Sequence, residues 1–149
     1  MSDGATHHTL EALVRRLGRS LLQYLSEAYP WTTTSDSPIL SEVKRMAEEE
    51  RDLAAKLSRF LAMRRHTVAY LGAFPSSFTT LNFVALEFVL PKLVQFERSS
   101  LEALEKDLAA LKDQEARKQA ENILTLQQRH LHELEALAAS HTKLTSTVR

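Results

Sequence analysis

Apolar residues recur at alternating steps of three and four along four long segments of this 149-residue chain. Such spacing puts the apolar side chains on one face of a helix. The segments are separated where proline and small hydroxyl residues cluster, at 30–38 and 74–80, and more weakly at 112–114. Only three glycines and four prolines are present, too few for the many tight turns of an all-β fold. The chain is therefore predicted to be all-α.

Each predicted helix is bounded by these breaks. The bounds are Leu10 to Tyr29, Ile39 to Arg65, Thr80 to Leu111, and Asp113 to His141. Ser37 as N-cap and Pro38 at the first helical position are typical of the start of the second helix. Pro91 lies inside the third pattern, which predicts either a kink or a helix broken in two.

The link between the second and third helices, residues 66–79, is too long for a simple turn. Its length of about 14 residues reaches about 46 Å when extended, and the second helix is about 40 Å long. Helices two and three are therefore expected to run parallel, in a four-helix bundle with one long crossover. We expect one domain at 10–141, a disordered N-terminus at 1–9 and a flexible tail at 142–149.

Four polar residues interrupt the apolar faces of these helices. Glu50, Glu97, Gln127 and His130 each occupy a core-facing step near the middle of a helix. Burial of an unpaired carboxylate costs several kcal/mol, so such groups need partners, a metal or a proton. The four residues are expected to meet in one layer, with the hydroxyl of Tyr24 beside them.

Three stretches resemble segments of the ferritin-like superfamily. Residues 49–57, EERDLAAKL, are similar to the ferritin segment EEREHAEKL, and residues 24–29, YLSEAY, to YLSMAY. Residues 123–130, ILTLQQRH, are similar to a bacterioferritin segment that ends in EEEH. The resemblance implies a ferritin-like bundle with a long crossover between helices two and three, which agrees with the link length.

The resemblance also implies where six iron ligands would lie. They fall on Leu17, Glu50, Leu53, Glu97, Gln127 and His130, so three of the six ligand types remain. The family tyrosine falls on Tyr24 and implies a hydrogen bond to Glu97. A di-iron centre needs about four carboxylates. Ferroxidase or di-iron oxidase activity is therefore not expected, and no catalytic residue is assigned.

Three interpretations of function stay open. In the first, the polar layer is a buried hydrogen-bonded network in a non-catalytic bundle without a cofactor, with His130 between Glu50 and Glu97. In the second, those three residues hold one divalent ion, iron, manganese or zinc, with Gln127 or water completing the shell. In the third, the chain is a binding module that uses its outer surface, for example as a homodimer through a helix face.

Composition narrows the classes of partner. Lys plus Arg and Asp plus Glu both number 19, so no basic excess favours nucleic acid or an anionic membrane. Arg15, Arg16 and Arg19 form either a solvated helix face or a small basic patch. The chain has no cysteine, and it shows neither a signal-peptide pattern nor a membrane-spanning apolar run. A soluble cytoplasmic protein is expected.

Overall fold

The computed structural model describes residues 2–28, 37–68, 71–82 and 84–147, and it is all-helical across them. Within these ranges it has five α-helices and a short 3-10 segment at Ser76–Leu81. The α-helices are α1 Ser2–Gly18, α2 Leu21–Ala28, α3 Ser37–Met63, α4 Leu86–Ala110 and α5 Gln114–Thr147. The all-α prediction is confirmed. None of these helices combines the length and apolar character needed to cross a membrane.

The first helix begins earlier than predicted. Residues 2–9, which were predicted to be disordered, belong to α1. Thr6 is buried one helical turn before buried Leu10, and it continues the apolar face toward the N-terminus. A hydroxyl of that size packs on this face almost as an apolar group would, which the hydropathy pattern did not register.

The predicted first helix is in fact two helices, because the chain turns at Arg19 and Ser20. The Ser20 hydroxyl accepts a hydrogen bond from the backbone N–H of Gln23 at 3.2 Å, which caps the start of α2. Gly18, at the end of α1, lets the link pack closely, since a methyl group there would lie 2.5 Å from Leu71 Cδ1. The predicted end at Tyr29 lies outside the described residues.

The predicted second helix corresponds to α3, which begins at Ser37 and ends at Met63, two residues early. Its end is a Schellman motif, in which Arg65 adopts a left-handed conformation with φ 63°. The His66 N–H donates to the Leu61 carbonyl and the Arg65 N–H to the Ala62 carbonyl, both at 2.9 Å.

The third helix starts later than predicted, at Leu86, because the 3-10 segment and extended residues precede it. The helix continues through Pro91, so the alternative of a helix broken in two is wrong. Pro91 lies just beyond the first turn, where it removes a single hydrogen bond.

The fourth helix corresponds to α5, which continues to Thr147. The predicted end at His141 is therefore wrong, and residues 142–147, which were predicted to be a flexible tail, have a helical backbone. The physical reason is that α5 contains neither glycine nor proline, so no residue stops the helix once its apolar pattern fades.

Ion pairs and hydrogen bonds fix the directions of the helices. Arg45 near the start of α3 pairs with Glu133 late in α5, and Arg64 after α3 pairs with Asp113 before α5. These two helices are therefore antiparallel. Gln127 of α5 donates to Ser100 of α4, while Glu135, later in α5, pairs with Arg98, earlier in α4. Helices α4 and α5 are therefore antiparallel as well. Helices α3 and α4 consequently run the same way, joined by residues 64–85.

The core consists of two apolar clusters, one toward each end of the helices. The first cluster contains buried leucines and alanines of α1, the second half of α3, the second half of α4 and the start of α5. The second contains α2, the start of α3, the start of α4, the 3-10 segment and Leu134 of α5. On α3, Leu53 and Phe60 are partly buried, while Ala54 and Leu61 lie deeper.

Candidate metal centre

The four polar residues predicted to share a layer are all buried. Glu50 and His130 have no exposed surface, and Glu97 and Gln127 are 1% exposed. On α3, α4 and α5 they lie between residues of the first apolar cluster and residues of the second. One ligand atom from each of Glu50, Glu97 and His130 lies within 4.8 Å of the others. The predicted layer therefore exists and separates the two clusters.

His130 is held through both of its ring nitrogens. Its Nδ1 lies 2.7 Å from Glu50 Oε2 and its Nε2 lies 3.0 Å from Glu49 Oε1. Glu49 in turn pairs with Arg45 at 2.7 Å and Arg129 at 2.9 Å. The layer predicted from the sequence did not include Glu49, so this contact was missed. The signal was its spacing from buried Met46, since helical residues three apart are neighbours on the helix surface.

Gln127 connects the layer to α4. Its Nε2 donates to the Ser100 hydroxyl at 3.2 Å. Ser100 was also missed, although it lies one turn beyond Glu97 on the same helix. Three oxygens of the layer are buried without a hydrogen-bond donor within the described part of the chain: Oε1 of Glu50, Oε1 of Glu97 and Oε1 of Gln127. Buried acceptors of this kind are rare in folded proteins.

Burial raises the pKa of both buried carboxyl groups. The pKa of Glu50 rises to about 7, chiefly by desolvation, although hydrogen bonds with Glu97 and Gln127 oppose the rise. The pKa of Glu97 rises well above 4.5, first through desolvation and then through the negative charge of Glu50. Without a cation, the pair therefore retains a proton at neutral pH, with Glu97 as its main holder.

Tyr24 does not join the layer. Its hydroxyl donates to Asn82 Oδ1 at 2.5 Å, and its ring packs against Phe74 and Phe78. The predicted hydrogen bond to Glu97 is therefore wrong. The physical reason is the break between α1 and α2, because α2 directs Tyr24 toward the aromatic residues of the link and the 3-10 segment.

The donor set does not fit a di-iron centre. Leu17 is buried in the first apolar cluster and Leu53 packs against it, so two of the six expected ligand positions carry no donor. The remaining set fits one divalent ion: two carboxylates and one imidazole converge, and three amide or carboxylate oxygens lack donors.

Comparisons of the chain with protein-family models, with curated proteins and with solved structures give no match.

Proposed function

We propose that this chain is a ferritin-like four-helix bundle that binds a single divalent metal ion in the middle of its core. Glu50, Glu97 and His130 are the ligands, and the side-chain oxygen of Gln127 is a fourth donor. The observation that carries the proposal is the set of three buried oxygens without hydrogen-bond donors beside a buried imidazole.

Charge balance supports a divalent cation at this position. Two ionised carboxylates with a neutral imidazole carry two negative charges, which one divalent ion neutralises. A proton shared between Glu50 and Glu97 satisfies only those two carboxyl groups and leaves Gln127 Oε1 without a donor, whereas a cation pairs with several oxygens at once. When bound, the ion supplies positive charge that lets Glu50 and Glu97 both ionise inside the core.

The chain's own residues prepare this position. His130 Nε2 lies 3.0 Å from Glu49 Oε1, and a proton on this nitrogen would leave Nδ1, which is directed at Glu50 in the layer, free to bind the ion. A carboxylate behind a ligating histidine fixes the ring orientation and tautomer. Arg45 and Arg129 balance the charge of Glu49. The apolar clusters above and below exclude water from the layer.

Three features support the ferritin-like assignment. Helices α3 and α4 run in the same direction and are joined by a long link. Polar residues at the implied ligand positions on α3, α4 and α5 are buried. The described residues of the sequence segments that resemble ferritins lie on α2, α3 and α5 in the expected order.

The experiment is metal titration of the full chain, purified with chelator and then freed of it. Zinc, manganese and iron(II) are added separately while the melting temperature is measured. A ligand that binds only the native state stabilises it by about 2.7 kcal/mol at one hundred times its Kd. Cobalt(II) provides a second measurement, since its visible absorption reports coordination by carboxylate and imidazole.

Two variants provide the comparison. Glu50→Gln removes a buried carboxylate and should abolish the metal-dependent rise in melting temperature. Glu48→Gln makes the same chemical change at the exposed residue two positions earlier and should leave the rise intact. If none of the metals changes the melting temperature or gives a cobalt spectrum in the wild-type chain, the proposal is wrong.

A second candidate function is a metal-free structural layer. It is favoured by the two carboxylate oxygens at the two nitrogens of His130, which suit a protonated ring that donates to Glu49 and Glu50. In that case Glu97 holds a proton and the chain acts as a scaffold. The same titration separates the candidates, because this layer predicts no metal-dependent stabilisation.

A further inference from the structure

A cavity of about 410 Å³ lies outside the polar layer, between α1, the link and α4. Its volume is in the range of pockets that bind small molecules. One wall carries Arg15 and Arg16 of α1 and Arg19 of the turn that follows it. The other walls carry apolar side chains, including Leu71 of the link and Phe96 and Ala103 of α4. The cavity therefore joins a cationic wall to an apolar interior.

The three arginines differ in their partners. Arg15 pairs with Glu11 at 2.8 Å, and Arg16 pairs with Asp107 at 2.7 Å. Arg19 instead donates to the backbone carbonyls of Gly72 at 2.6 Å and Gly18 at 2.9 Å. Its guanidinium also lies 4.8 Å from the centre of the Phe74 ring. Among the described residues, Arg19 has no carboxylate partner, so its positive charge is not neutralised.

Arg16 also has a polar atom without a hydrogen-bond partner. Its Nε is buried and has no acceptor within the described part of the chain, although its terminal nitrogen binds Asp107. A buried donor without an acceptor is destabilising, because it has lost its hydrogen bonds to water. Arginine prefers planar anions that accept two hydrogen bonds at once, which carboxylates do. The charge of Arg19, which no described carboxylate neutralises, and the Nε donor of Arg16 both favour an anionic ligand group.

The apolar part of the cavity has room for more than a small anion. A neighbouring cavity of about 530 Å³ shares Phe96 and Ser99 with it and extends along α4 toward Pro91. Its other lining residues include Phe78 and Leu81 of the 3-10 segment. A ligand with a carboxylate head at Arg19 could therefore place an apolar body along α4.

We propose that this cavity binds an amphiphilic carboxylate, with Arg19 and Arg16 at the carboxylate and Leu71, Phe96 and Ala103 around the apolar body. The proposal does not depend on a metal in the polar layer. It assigns Arg16 and Arg19 to ligand recognition, whereas the sequence left them as part of a solvated face or a small basic patch.

The test is calorimetric titration of the full chain with decanoate, with decanol and with acetate. Decanoate should bind, and decanol, which has the same apolar body without the charge, should bind at least about tenfold more weakly. Acetate should show no measurable binding, since it lacks the body. Equal affinity for decanoate and decanol, or no binding of decanoate, would overturn the proposal.

Variants locate the binding within the molecule. Arg19→Gln should weaken decanoate binding about tenfold or more and leave decanol binding unchanged, and Arg19→Lys should recover part of the loss. Ala103→Phe should block both ligands by filling the cavity, and Ala103→Leu is the milder form if the phenylalanine variant does not fold. Arg59→Gln, which removes an exposed arginine of α3 away from the cavity, should bind decanoate as the wild type does. Unchanged binding by folded Arg19→Gln and Ala103→Leu variants would also refute the assignment.

Discussion

At the scale of single residues, His130 is the centre of the polar layer. It is fully buried and contacts a carboxylate oxygen from each of two adjacent glutamates. Glu50 has no exposure either, and its Oε2 lies 2.7 Å from Nδ1 of His130. Removal of the imidazole would leave this oxygen of Glu50 buried beside Glu97 without its hydrogen-bond partner.

His130→Leu is therefore expected to destabilise the protein by about 3–5 kcal/mol at neutral pH, because it breaks a buried pair from one side. The double variant Glu50→Leu with His130→Leu removes both partners and should recover most of that loss. Urea unfolding followed by circular dichroism measures both. His132→Leu changes an exposed histidine of the same helix and should alter stability by less than about 0.5 kcal/mol. A His130→Leu variant as stable as wild type would contradict the buried pair.

At the scale of secondary structure, the ends of the helices depend on local residues. Ser20 caps α2, and Asp113 accepts a hydrogen bond from the Ala116 N–H at 2.9 Å before α5. Asp113 also forms two hydrogen bonds with Arg64, so it joins the end of α3 to the start of α5. The hydrogen bonds of Arg64 and Ala116 lower the pKa of Asp113 to about 2.

Arg65, which ends α3 with φ 63°, occupies a position that favours glycine. Arg65→Gly should therefore raise stability by up to about 1 kcal/mol, because it relieves the steric cost of the left-handed conformation. Arg59→Gly makes the same change inside α3 and should lower stability by about 1 kcal/mol. Thermal unfolding of both variants tests whether the two stability changes have opposite signs. A loss of stability in Arg65→Gly would contradict the left-handed conformation of Arg65.

At the scale of the whole molecule, the polar layer makes the stability of the metal-free protein depend on pH. Folding raises the pKa of Glu50 to about 7 and that of Glu97 well above 4.5. The folded protein then binds more protons than the unfolded chain does. The contribution of these two groups to the free energy of unfolding is therefore fully present below about pH 4.5. That contribution is lost as the pH rises through about 7 and above.

The free energy of unfolding in chelator should consequently fall between about pH 5 and pH 8, measured with urea. The double variant Glu50→Gln with Glu97→Gln should show a shallower fall, since the amides do not titrate. Glu48→Gln should keep the wild-type slope. Equal slopes in the wild type and the double variant would show that the buried carboxyls do not control the pH dependence.

The sequence by itself determined the helices and the polar residues of the layer. Periodic apolar steps are a local property, so α3 and the middle of α5 could be predicted, as could the burial of Glu50, Glu97, Gln127 and His130. The break at Ser20 was also local, because Ser20 with Gln23 three residues later is a capping pattern, but the continuing apolar face concealed it.

Only the tertiary structure decided which atoms meet. The contact of Glu49 with His130, the hydrogen bond from Gln127 to Ser100 and the pairing of Tyr24 with Asn82 all depend on how the helices rotate and shift against one another. The cavity beside Arg19 depends on how the link packs against Gly18. The physical reason is that periodicity specifies the buried face of a helix, whereas the neighbours of a side chain follow from packing between helices distant in sequence.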